Sequence, residues 1–205
     1  NRPNEDRSPS NFANDIVALK AWLLNDFQAE AGASVPTDTN AYGMTGTSLG
    51  GYTTWSGILL TNAFAAAVPF NFAYHMYTDH IETQGSLDRV SGGQAASLVT
   101  GEYPAAAVDT LMESSFNPIL ANFPGVTIPV QNHIAMLDGR WPGSYALTDH
   151  LNLTAASQRM IYIGTGGHGT ATNDEAYRFQ LRQDWFDHHL KGVANGIDTT
   201  DAIQI

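Results

Sequence analysis

The chain has 205 residues, enough for one domain with a sizeable core, and its 43% hydrophobic and 10% aromatic content is ordinary for a globular protein. Charged residues make up only 14% and the formal net charge is −11; the only lysines are Lys20 and Lys191 and the seven arginines form no run, which argues against nucleic acid or an anionic membrane as a partner. The lack of cysteine excludes disulfides, thiolate zinc sites and cysteine nucleophiles, and no apolar run is long enough to span a bilayer.

Residues 1–10 read as polar loop. Phe12, Ile16, Leu19, Leu23 and Phe27 then recur at spacings of three and four, one face of an amphipathic helix, which dissolves into a loop over 31–40. Residues 41–48 read as a short buried strand running into a turn. Tyr52, Trp55, Ile58 and Leu59 repeat at helical spacing, and 65–72 reads as the next strand. From 73 to 125 the pattern blurs into short helices and Gly/Ser turns. The apolar run 127–137 is another strand, 144–157 a helix, and 159–164 a strand followed by a Gly-rich turn with His168. Asn173, Asp174 and Glu175 look like a helix start; Phe179, Phe186 and Leu190 are expected to form that helix's buried face, and Gly192 follows its end. Residues 201–205 read as an opening strand. Strands alternating with helices predict an α/β domain: a mostly parallel sheet with helices on both faces.

The chemistry centres on Gly46-Thr-Ser-Leu-Gly50, a G-x-S-x-G sequence between a strand and a helix. That is the setting of a nucleophile elbow, a tight turn that lifts a serine hydroxyl above the sheet. Gly46 and Gly50, with Gly51 beyond, are expected to supply the small residues the turn needs. The helix N-terminus brings backbone N–H groups, and that of Leu49 would face a developing oxyanion. A serine hydroxyl needs a base, and in this arrangement the partners follow as carboxylate and then histidine. Asp138 ends one predicted strand and His168 lies just past the end of the next, ninety and a further thirty residues after Ser48. Ninety residues exceed one strand-helix-strand unit and imply an insertion. Among the rivals, His133 sits within an apolar strand and reads as a hydrogen-bonded core residue. His188 and His189 lie on the last helix and His150 inside another. His75 and His80 belong to the insertion, and Asp149 and Asp109 lack a strand-end position.

At these residues the chain resembles the X-Pro dipeptidyl-peptidase and cocaine-esterase-like family of α/β-hydrolases. The resemblance runs from about Tyr42 to Ile205 and rests on Gly43-Met-Thr-Gly-Thr-Ser-Leu-Gly-Gly51, Leu137-Asp-Gly139, Gly167-His168 and Asp184-Trp-Phe-Asp-His-His-Leu-Lys-Gly192. It implies an α/β-hydrolase core in 1–72, bearing the elbow; a short helical cap in 73–126; and a second stretch of core in 127–205, bearing acid and base. It also implies acyl transfer to water from an ester or short peptide, without cofactor or metal, with Ser48, Asp138 and His168 catalytic. Leu49 stands where the family often has Tyr. The family's second oxyanion donor and N-terminal strands would lie upstream and its β-sandwich downstream, so further segments of the same protein are expected as partners. Tyr74, His75, Tyr77 and Trp141 are the expected substrate-pocket residues, and Asp79, Glu82 or Glu102 could hold a free amine. A prolyl-oligopeptidase or dienelactone-hydrolase relative, a polyester or carbohydrate-ester hydrolase, and an inactive binding protein on the same fold stay open as alternatives. The acidic, lysine-poor composition is compatible with a secreted, extracellular or periplasmic protein.

Overall fold

The computed structural model describes residues 9–27, 38, 40–72, 117–138, 143–168 and 174–205. Five parallel strands lie in the order β1 (Gly43–Thr47), β2 (Ala66–Phe70), β3 (Val130–Ala135), β4 (Arg159–Gly164) and β5 (Ile203–Gln204). Helices α1 (Pro9–Asn25), α2 (Leu49–Leu60), α3 (Gly143–Asn152) and α4 (Glu175–Lys191) accompany them, with a 3-10 segment at Asn117–Gly125. Strand order follows chain order, so every described strand lies beside its sequence neighbours, and the carboxyl ends of all five share one edge.

The period of two along the strands divides the core into two layers. On one face, Ala67, Val130, Ile134 and Ile161 pack with Tyr52, Trp55, Ile58 and Leu59 of α2, Ala146 of α3, and Phe123. On the other, Ala66, Val68, Phe70, Met160 and Tyr162 pack with Leu181 and Trp185 of α4 and with Ile197. Trp55 and Trp185, one per face, are both fully buried. Each anchors its helix with the largest apolar area a side chain can offer. α4 ends at Gly192, whose φ of 70° is the left-handed conformation that stops a helix while its N–H bonds the last carbonyls.

The structure departs from the sequence reading at α3, which ends at Asn152 although 144–157 reads as helix, and in three further places. β1 is not buried: it is an edge strand among the described residues, with Gly43, Thr45 and Thr47 exposed in alternation. α1 begins two residues earlier than expected, and its predicted stripe is buried only in its first half. Phe12 and Ile16 meet the core, whereas Leu19 is 55% and Phe27 40% exposed. Lys20 sits on α1's inner side instead, donating to the Ala63 carbonyl and lying 4.9 Å from the Tyr42 ring centre. On α4, Phe179 is exposed, Phe186 and Leu190 are partly buried, and the buried positions are Leu181 and Trp185.

Candidate active site

Ser48 stands between the last residue of β1 and the first of α2, with φ 57° and ψ −114°. A β-carbon strongly disfavours positive φ, so this backbone is strained and must be held by its surroundings. The hold is visible: the Ser48 N–H donates to the Phe70 carbonyl at 3.1 Å, and the Ser48 carbonyl accepts from Tyr52 N–H at 2.9 Å. The space around the turn corrects one expectation. A methyl group on Gly46 would stand 2.5 Å from the backbone of Gly50, and one on Gly51 2.5 Å from the Phe70 carbonyl, but Gly50 itself has open space. The turn therefore requires glycine at 46 and 51, and Gly50 is small for a reason the packing does not demand.

Three side chains from three strand ends meet at the carboxyl edge. The His168 Nε2 lies 2.8 Å from Ser48 Oγ, and the His168 Nδ1 lies 2.8 Å from Asp138 Oδ2. With its proton on Nδ1, the imidazole donates to Asp138 and accepts from the serine hydroxyl. The Asp138 side chain is fully buried and that of His168 only 16% exposed, so the chain of hydrogen bonds runs from protein interior to surface. Ser48 Oγ, at its outer end, can give up its proton to Nε2 as it forms a new bond. Leu49 opens α2, so its N–H is among those that find no acceptor within the helix.

The loops bearing Asp138 and His168 are stitched together. Met136 N–H donates to the Gly164 carbonyl at 2.7 Å and Leu137 N–H to that of Gly166 at 3.1 Å, immediately before Asp138. The rival histidines lie elsewhere. His133 is fully buried on the α4 face, 2.8 Å from Gln131 Oε1 and 4.3 Å from the Phe70 ring centre. Burial, with smaller contributions from Arg178 and Arg182, holds it well below the usual histidine value, so it stays neutral. Burial likewise lowers His150 on α3 and His189 on α4 to about 4. Asp149 is buried on α3. Tyr74, His75, Tyr77, Asp79, His80, Glu82, Glu102, Asp109 and Trp141, together with most of the expected cap, lie outside the described residues.

This sheet, with its elbow, is an α/β-hydrolase fold. Solved structures agree. An uncomplexed acylaminoacyl peptidase from Pyrococcus horikoshii superposes on 95% of the chain with a TM-score of 0.62 and 20% identity. A puromycin hydrolase does so over 88%, with a TM-score of 0.63 and 14% identity. The alpha/beta hydrolase GrgF from Penicillium covers 93%, with a TM-score of 0.62 and 15% identity. No protein-family model and no curated protein matches the chain in sequence. The chain spans 30% of the length of that peptidase, 25% of the puromycin hydrolase and 75% of GrgF.

Proposed function

We propose that the protein is a serine hydrolase that cleaves an ester or amide bond through an acyl-enzyme on Ser48. The observation that carries this reading is the unbroken hydrogen-bonded chain from Ser48 Oγ through His168 to the buried Asp138. Ser48 Oγ attacks the substrate carbonyl carbon while His168 Nε2 takes its proton; the carbonyl π electrons move to oxygen, and the Leu49 N–H donates to that oxyanion. Asp138 holds the imidazole in the tautomer that can accept and steadies the imidazolium that results. When the tetrahedral intermediate collapses, the alcohol or amine leaves with the proton from His168 and the acyl group stays on Ser48. Water then attacks the acyl carbon, giving a proton to His168; the bond from that carbon to Ser48 Oγ breaks, His168 returns the proton to Oγ, and the acid product leaves.

The finer reading, an X-Pro peptidase or cocaine-esterase-like esterase, rests on the sequence resemblance around the elbow and the closing helix. The named neighbours include a peptidase, the acylaminoacyl peptidase, beside a puromycin hydrolase, which favours testing amides alongside esters. A panel of p-nitrophenyl acyl esters and aminoacyl-proline p-nitroanilides, followed through the first turnover, distinguishes them. The expected result is turnover of at least one series, with a burst of about one p-nitrophenol per active site wherever deacylation limits the rate. No turnover of either series by the folded protein would contradict the enzymatic reading.

A further inference from the structure

We propose that Tyr162 and Asp174 are positioning residues for His168, a clamp that ties the start of α4 to the end of β4, the two elements between which His168 stands in the chain; the inference rests on the reading of His168 as the base. In the chain, His168 stands between Gly164, the last residue of β4, and Asp174, the residue before α4. On the β4 side, the Gly164 and Gly166 carbonyls accept the backbone bonds from Met136 and Leu137. On the α4 side, the Tyr162 hydroxyl donates to Asp174 Oδ2 at 2.5 Å.

Several features mark this contact as built for. Asp174 occupies the N-cap position of α4, where an aspartate ordinarily accepts from the N–H groups of the first turn, yet it makes no such bond. Its carboxylate turns back to the sheet, into space that only a glycine leaves free: a methyl group on Gly164 would stand 2.6 Å from Asp174 Oδ2. Tyr162 is 4% exposed, with its ring 5.5 Å from His133 and 5.7 Å from Tyr177, so the donor cannot swing away. Burial, and then Asp174 itself, push the Tyr162 hydroxyl well above its usual value, which keeps it protonated and donating although Arg178 works in the opposite sense. Tyr162 lies two residues before Gly164, so Asp174 is fastened to the same strand end from which the His168 loop departs. A base displaced by about 1 Å can lose about a hundredfold in rate; tying the start of α4 to the end of β4 on either side of His168 resists that displacement.

The test is steady-state kinetics and thermal unfolding of Tyr162→Phe, Asp174→Ala and Asp174→Asn in the full chain, with fluorophosphonate labelling of the wild type at Ser48 as the control. Tyr162→Phe and Asp174→Ala should lower kcat about ten- to a hundredfold with KM within about twofold, at temperatures where both are folded. Asp174→Asn keeps a side-chain carbonyl to accept the Tyr162 proton and should retain most of the wild-type kcat. Wild-type kcat in folded Tyr162→Phe, a loss shared equally by KM, or an Asp174→Asn as impaired as Asp174→Ala would overturn the clamp. A wild type that does not label at Ser48 would instead overturn the proposed function, and the clamp with it.

Discussion

Replacing His168 with alanine will lower turnover by about 10⁴- to 10⁶-fold, and replacing His133 with alanine will leave kcat within a few-fold of wild type. His168 is the group within reach of the Ser48 hydroxyl, at 2.8 Å, and without it the hydroxyl has no base. Its loss leaves the fold intact, because the imidazole sits at the rim and belongs to neither core layer. His133 is the opposite case. It is fully buried, packed against the Phe70 ring at a tilt and hydrogen-bonded to Gln131, so truncation opens a cavity and strands a polar amide. The cost should fall on stability, about 2–5 kcal/mol by analogy with other large-to-small core changes. Initial rates and urea midpoints on both variants check the pair. A near-normal rate in His168→Ala, or a catalytic loss in folded His133→Ala, would reassign the base.

The second large effect concerns the outer edge of β1. Among the described residues no strand pairs with that edge, and Gly43, Thr45 and Thr47 are exposed along the strand that delivers Ser48. α1, which packs on α2 beside it, leaves Leu19 and Trp22 exposed, at 55% and 46%, as is Phe27 just past its end, at 40%. An open parallel edge beside an apolar helix face is a site for aggregation unless something covers it. We propose that further strands of the same protein do so and bring a second oxyanion donor alongside Leu49. Residues 1–205 expressed alone should then aggregate, or turn over about 10²- to 10³-fold more slowly than the product of the whole gene. A soluble monomer of 1–205 with a cooperative thermal transition and full turnover would count against this.

What the sequence made legible was local. The elbow could be read because a strand, a G-x-S-x-G turn and a helix are contiguous. Asp138 and His168 could be picked out because each sits just past a short apolar run. The structure adds the fact that these three side chains, up to 120 positions apart, lie in hydrogen-bond contact. What was not legible depends on neighbours distant in sequence. β1 reads as a buried strand from the loop and glycines that flank it, and its exposure follows from its place at the end of the described strand order, paired with β2 alone. Phe179 looks like core by its chemistry, but the face of α4 that meets the sheet is set by Leu181 and Trp185, and Phe179 falls outside it, 4.8 Å from the Arg182 guanidinium. Gly50 and Gly51 are indistinguishable as letters, and only the course of Phe70 to Phe72 over the turn shows that Gly51 is the one without room for a side chain. Asp174 carries a sequence signal, that of a helix cap, but it makes no such bond; its partner Tyr162 is twelve residues away with no motif between them.

The most direct test of the central claim is to treat the protein with a fluorophosphonate and map the adduct by peptide mass spectrometry. The account predicts a single stoichiometric adduct on Ser48, absent from Ser48→Ala and slowed by several orders of magnitude in His168→Ala. An adduct on another serine, or a Ser48→Ala protein that still hydrolyses substrate, would contradict it.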